Sequence, residues 1–143
     1  MSSTWSQKEL IPFQRVIEAG SADAVMTAHI FNSNLDPKYP ATLSKATITG
    51  VLRDQLGFEG VVLTDDMQMG AIRNYYSFND SLEAAINAGA DVISLSNNGD
   101  TYNPTVGDDA FNAILDAVHA GRITEERIHD SYQRIMKLKA RLA

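Results

Sequence analysis

Three short β-branched runs constrain the fold of this chain more than any other feature. Ala24-Val25-Met26-Thr27, Val61-Val62-Leu63-Thr64 and Val92-Ile93-Ser94-Leu95 are apolar at successive rather than strictly alternate positions. Strands that read this way are buried on both faces, as in a parallel sheet. The runs begin about thirty to thirty-seven residues apart, the length of one βα unit. Parallel neighbours need long crossovers, and such crossovers are right-handed. The spacing therefore predicts an α/β fold: three adjacent parallel strands with flanking helices.

Helical patterns fill the intervals. Ser6 and Glu9 have the spacing of a capping box, Leu10, Phe13 and Ile17 share a face, and Gly20 is a stop, with Pro12 kinking or restarting the helix. Ser44 is placed as an N-cap for Ile48, Val51, Leu52, Gln55 and Leu56, ending at Gly57. Asp80 and Glu83 form a second box before Leu82, Ala85 and Ile86, closing at Gly89. Asp108 or Asp109 opens a helix through Phe111, Ile114, Leu115 and Val118 to Gly121. Thr124 caps a final amphipathic helix lined by Ile128, Tyr132, Ile135, Leu138 and Leu142. Ala19-Gly20-Ser21-Ala22-Asp23-Ala24-Val25 is echoed by Ala88-Gly89-Ala90-Asp91-Val92, each a helix stop leading into a strand. No linker divides the chain, so residues 1–143 read as a single domain.

Composition narrows the chemistry. With no cysteine among its 143 residues the chain has neither disulfides nor thiolate metal ligands, and only three histidines remain as imidazole donors. No metal site and no cofactor are expected. A net charge of −6 with dispersed Lys and Arg lacks the basic patch that nucleic acid requires. No stretch approaches the roughly 18 apolar residues of a membrane span, and Met1-Ser2-Ser3-Thr4-Trp5 has neither the basic nor the apolar region of an export signal. The expected partner is a neutral small molecule or another protein. Location is not encoded in these features, with the cytoplasm as the default.

In parallel α/β sheets, ligands bind at the C-terminal ends of the strands. Those ends carry Thr27 and His29, then Thr64, Asp65 and Asp66, then Ser94 and Ser96, and the loops over residues 30–43 and 97–107 follow the first and third. An Asp where a strand meets its loop suits a nucleophile, a base or a ligand, although Asp is also a common turn former there. Successive residues leaving a strand point to opposite faces, so one of Asp65 and Asp66 is free to be a packing or solvent residue. A lone His29 is ordinarily a hydrogen-bonded structural residue, and Met67 and Met69 are ordinarily packing. His119 and His129 fall on helix patterns and read as surface residues.

The segment Gly57-Phe58-Glu59-Gly60-Val61-Val62-Leu63-Thr64-Asp65-Asp66-Met67-Gln68-Met69 resembles the nucleophile motif of glycoside hydrolase family 3, a glycine-bounded strand ending in Ser/Thr-Asp and followed by Met. Ala24-Val25-Met26-Thr27-Ala28-His29-Ile30, Pro40-Ala41-Thr42-Leu43-Ser44 and Leu52-Arg53 are similar to its β-N-acetylhexosaminidase branch, and Ala88-Gly89-Ala90-Asp91 also fits. The similarity runs from about Thr4 to the final helix.

The resemblance implies that Asp65 is the catalytic nucleophile of a retaining hydrolysis of terminal β-N-acetylhexosaminides, with Asp66 in support. His29, Met67 and Met69 are placed around the sugar subsite by their positions at the strand ends. The family resembles an eight-stranded (β/α) barrel of about 250 residues. The three strands here correspond to the sixth, seventh and eighth of that TIM barrel. The family's general acid/base, a His paired with an Asp after the fifth strand, would precede Met1. Retention needs two groups across the scissile bond, so the isolated chain is expected to turn over substrate poorly. Open edges and uncovered apolar faces are expected to drive self-association or pairing with the missing N-terminal half. Two alternatives are an inactive half-barrel acting as an assembly unit and a receiver-like signalling domain. The latter lacks its acidic pair at Thr27-Ala28-His29 and its Lys at Ser96-Asn97-Asn98.

Overall fold

The computed structural model describes residues 5–97 and 101–142. Thr4 and Asn98, both used in the sequence reading, lie outside the described residues, as does the side chain of Leu142.

A 3-10 turn at Gln7–Leu10 leads into α1 (Ile11–Glu18), then β1 (Ala24–Met26), a 3-10 turn at Ala41–Leu43, a π-helix at Ala46–Gln55 and β2 (Val61–Asp66). There follow α2 (Gly70–Arg73), α3 (Phe78–Ala88), β3 (Val92–Ser94), α4 (Val106–His119) and α5 (Glu125–Leu142). The strands form one parallel sheet in the order β1-β2-β3. Ala24, Val25 and Met26 pair with Val61, Val62 and Leu63. Between β2 and β3 the register shifts, with Leu63 opposite Val92 but Asp66 opposite Ser94.

The start and stop signals are mostly as expected. The Glu9 carboxylate accepts the Ser6 N–H at 3.0 Å, and Pro12 restarts the helix in the first turn of α1. Gly20, Gly57, Gly89 and Gly121 all have positive φ at helix ends. Three details differ. The expected Asp80/Glu83 box does not start α3, which begins earlier because the Ser77 hydroxyl accepts the Asp80 N–H at 3.1 Å. Helix α4 likewise begins before Asp108, after Thr105. The segment after Ser44 is a π-helix rather than an α-helix: Ser44 Oγ accepts the Thr47 N–H, but the last turn closes from Leu56 N–H to Val51 O, an i→i−5 bond.

The core lies on one face of the sheet, between it and the helices. Val25 and Val62 pack with Ile48, Phe58 and Ala88. Leu43, Met67, Ile72, Ala85 and Ala90 form a second cluster, and Ile86, Ala117 and Ile123 a third. The expectation of strands buried on both faces is therefore met on one face only. On the other, Met26 is 63% and Val92 37% exposed, because no element of the described chain crosses it. Phe111, Leu115, Tyr132 and Ile128 are also exposed, on the outer surfaces of α4 and α5.

At the N-terminal ends of the strands, Asp91 has no exposed side-chain surface. Its carboxylate accepts the Val62 N–H (3.0 Å), Ser131 Oγ (2.8 Å), Arg53 (2.8 Å) and Arg127 (2.9 Å), with Arg134 at 3.4 Å. Burial alone would raise its pKa. The Val62, Arg127 and Ser131 hydrogen bonds and the Arg53 charge outweigh that and hold it below the ordinary carboxylate value. Gly60, just before β2, has no room for a side chain, since a Cβ there would lie 2.7 Å from the Asp23 carbonyl oxygen.

A depressed folded pKa stabilises the fold above the unfolded value and ceases to do so as pH falls through the folded one. Urea unfolding should therefore show stability falling as pH drops below about 4, with that acid sensitivity reduced in Asp91→Asn. Asp91→Ala leaves buried guanidinium groups unpaired and should cost about 3 kcal/mol at pH 7.

Candidate active site

The C-terminal ends of the strands converge on Asp65 and Asp66, and the structure treats these neighbours differently. Alternation along β2 directs Val62 and Thr64 to the helix side, where both are buried, and Leu63 and Asp65 to the uncovered side. The register shift falls here, a local irregularity of the kind that re-aims a side chain at the end of a strand. Thr64 Oγ1 fills the gap in the ladder by accepting the Ser94 N–H at 2.9 Å.

Both oxygens of the Asp66 carboxylate are engaged. Its Oδ1 accepts the N–H groups of Gln68 (3.0 Å) and Ser96 (3.1 Å), and its Oδ2 accepts the Ser96 hydroxyl at 2.5 Å. Burial pushes its pKa up, but the hydrogen bonds from Ser96 and Gln68 outweigh this and hold it low. Asp65, half-exposed, accepts only the N–H of Asp66, at 2.8 Å to Oδ1, among the described residues. One carboxylate is structural and the other is available.

Hydrogen bonds join the rest of the strand ends. His29 places Nδ1 2.9 Å from Thr42 Oγ1 and Nε2 2.8 Å from the Asp66 carbonyl oxygen. Thr27 donates its hydroxyl to Thr42 at 3.0 Å. Beyond β3, the Gln68 side-chain oxygen accepts the Asn97 N–H at 2.6 Å, and Asn97, at φ 57°, exchanges two hydrogen bonds with Asn103. An open groove of about 850 Å³ lies elsewhere, between the loop over residues 36–45 and α3, lined by Tyr39, Tyr76, Asp80 and Glu83.

The Glycosyl hydrolase family 3 N terminal domain matches residues 2–138. The chain belongs to glycoside hydrolase family 3. It is 30% identical to beta-hexosaminidase A of Pseudoalteromonas piscicida over 96% of its own length and 25% of that protein's. It is 38% identical to a beta-hexosaminidase of Xylella fastidiosa over 75% of its length and 30% of the relative's. A glycoside hydrolase family 3 beta-N-acetylglucosaminidase from Paenibacillus sp. str. FPU-7 superimposes with a TM-score of 0.84 at 40% identity, covering 96% of this chain and 26% of that one. The beta-N-acetylglucosaminidase of Thermotoga maritima gives 0.82 at 31% identity, covering 92% and 28%. The chain thus spans about a quarter to a third of the length of these relatives. Family 3 membership displaces the receiver-like alternative.

Within this family 3 domain the sequence-predicted residues are brought to one end of the sheet but in different settings. Asp65 is on the uncovered face, and Met69, further along the loop that follows, is 45% exposed. Met67 is 2% exposed and packed among Leu43, Ile72 and Ala85, so its side chain presents no surface to a ligand. Both ring nitrogens of His29 are engaged by the protein. Thr42, Gln68 and Asn97 have roles that sequence spacing did not single out, because each acts on a residue distant in the chain. Ser96 was visible only as a polar side chain past a strand. Among the described residues no group of three or more His, Asp or Glu could hold a metal ion, and no helix is long and apolar enough to cross a membrane.

Asp66→Ala removes three hydrogen bonds, two of which join the end of β2 to the segment after β3, and equilibrium unfolding should show a loss of about 1–3 kcal/mol. Asp65→Asn should leave the unfolding free energy within about 0.5 kcal/mol of the original.

Proposed function

We propose that this domain supplies the nucleophile of a retaining hydrolysis of terminal β-N-acetylhexosaminides, and that the nucleophile is Asp65. The observation that carries the reading is the contrast between the two carboxylates. Both oxygens of Asp66 are engaged by Ser96 and Gln68, whereas Asp65 keeps an oxygen unengaged among the described residues, on the sheet face that no helix covers. In the reaction, the Asp65 carboxylate attacks the anomeric carbon as the glycosidic bond breaks, and water then cleaves the glycosyl ester with overall retention. The relatives' names, beta-hexosaminidase and beta-N-acetylglucosaminidase, supply the substrate class. Met69 is placed at the edge of the sugar subsite, with His29 and Met67 behind it.

The same reading makes the three strands the sixth to eighth of a (β/α)8 barrel. Apolar residues on both sheet faces, with helices covering only one, support this: Met26 and Val92 have the character of interior side chains and lack a covering layer. The general acid/base then comes from outside the chain. His29 does not serve, because its Nε2 is held by a carbonyl and its Nδ1 by Thr42. Pairing with an N-terminal segment equivalent to that of the relatives would cover the bare face and bring the second catalytic group across from Asp65.

Light scattering should find the chain self-associated at micromolar concentration and converted to a one-to-one complex by the N-terminal segment of a family 3 relative; a compact monomer would count against it. In that complex, hydrolysis of an aryl β-N-acetylglucosaminide should fall more than about 10³-fold in Asp65→Ala and by a much smaller factor in Asp66→Ala. A well-formed complex without turnover would favour the assembly-unit reading, and an active Asp65→Ala complex would remove Asp65 from the chemistry.

A further inference from the structure

The ring of His29 bonds to the main chain of the residue that follows the candidate nucleophile, in a chain of hydrogen bonds with only one consistent direction for a neutral ring. A carbonyl oxygen accepts and cannot donate. The contact from Nε2 to the Asp66 oxygen, at 2.8 Å, therefore requires the proton on Nε2. In the neutral ring Nδ1 is then an acceptor, and the group facing it at 2.9 Å, Thr42 Oγ1, must spend its single proton there. Thr42 is left accepting from Thr27, whose hydroxyl donates at 3.0 Å. Thr27 is itself anchored to the sheet, its N–H donating to the Leu63 carbonyl at 2.9 Å. The Thr27 hydroxyl faces Thr42 at 3.0 Å and the Leu63 carbonyl at 3.4 Å, Thr42 orients the imidazole, and the imidazole grips the main chain of Asp66.

The gripped residue matters because Asp66 is the described partner of Asp65, its N–H holding Asp65 Oδ1 at 2.8 Å. Ser96 restrains the Asp66 side chain from the β3 side and His29 restrains its carbonyl from the β1 side. The donor that Asp65 sees lies between these two restraints, at an irregular point of the ladder. Thr42 is fully buried, so water does not replace its bonds when a partner is removed.

We propose that His29 is a positioning residue whose imidazole, protonated at Nε2, fixes the side-chain rotamer of Asp65 through the main chain of Asp66. The proposal rests on the reading of Asp65 as nucleophile for its consequence in catalysis, but the clamp itself is testable without that reading.

Two substitutions separate the functions of the ring nitrogens. In His29→Gln the amide nitrogen extends about as far as Nε2 and can still donate to the Asp66 carbonyl. In His29→Asn it reaches only the level of Nδ1. Thr42→Val removes the hydroxyl that orients the ring at nearly constant volume. Nuclear magnetic resonance of the intact chain provides two readouts. The ¹⁵N shifts of His29 should show a protonated Nε2 and an unprotonated Nδ1. Three-bond couplings to Asp65 Cγ should report one rotamer in the parent chain and in His29→Gln, and rotamer averaging in His29→Asn and Thr42→Val. A proton on Nδ1 in the neutral ring, averaging in the parent chain, or a single rotamer retained in His29→Asn would overturn the proposal. Should His29→Asn fail to fold, the parent tautomer and Thr42→Val decide the matter.

In the complex with the N-terminal segment, His29→Asn should lower kcat by about 10²-fold with KM unchanged, and His29→Gln should recover most of the loss. A raised KM with unchanged kcat would instead identify His29 as a sugar contact and overturn the positioning role. If Asp65→Ala were fully active, the nucleophile reading would fail while the tautomer and rotamer results still tested the clamp. If the complex were inactive throughout, those two results would decide on their own.

Discussion

The fold depends on one buried carboxylate. Asp91 opens β3 beneath the sheet, and its five partners come from the π-helix, β2 and α5. A carboxylate with no exposed side-chain surface carries a large desolvation cost, which is offset here by charge-assisted hydrogen bonds to two closely placed guanidinium groups and to an N–H of the neighbouring strand. Because the partners come from elements far apart in sequence, the interaction sets the position of the last helix against the sheet. Arg127 also donates to the carbonyls of Ile86 and Ala90, and Arg53 to those of Phe58, Gly60 and Gly89. Helix ends and strand starts that would otherwise carry unpaired carbonyls are satisfied by the same two side chains.

The opposite end of the sheet is built on another principle. There the hydrogen bonds run between loops and strand ends through small polar side chains, Thr27, Thr42, Ser96, Gln68 and Asn97, and a single carboxylate, that of Asp66, takes three of them. Charge is concentrated and compensated at the lower end. At the upper end one member of an acidic pair is compensated and its neighbour is left accessible. This division, a rigid base and a polar rim with one available group, is what a catalytic residue on a parallel sheet requires. The uncovered face beside that group agrees with the chain's share of its relatives' length, about a quarter to a third.

Much of this was legible in the chain itself. The β-branched runs at Val61 and Val92 and the helix stops at Gly20, Gly57, Gly89 and Gly121 are local signals, and the structure places strands and helix ends there. The start of α3 lies three residues before the expected Asp80, since Ser77 and Asp80 both satisfy a capping pattern and the Ser77 hydroxyl is the one that accepts a helix N–H. The π-helix was not legible, because apolar spacing at Ile48, Val51 and Leu52 suits an i→i−4 or an i→i−5 ladder. The choice accompanies distant contacts, Thr49 to the Ala88 carbonyl and Arg53 to Asp91.

The sequence by itself determined the three parallel strands, the family to which the chain belongs and the presence of two carboxylates at the end of the central strand. These follow from short local patterns of alternation and turn chemistry and from the order and spacing in which those patterns recur along the chain. Which carboxylate is bound and which is available, that Met67 packs inward, and that the ring of His29 holds main chain rather than open space were decided only by tertiary structure. Each depends on a partner about thirty or more residues away, Ser96 for Asp66 and Asp66 for His29, or on a core assembled from several elements. No local preference fixes such distances; they exist only once the sheet has formed and its register is set.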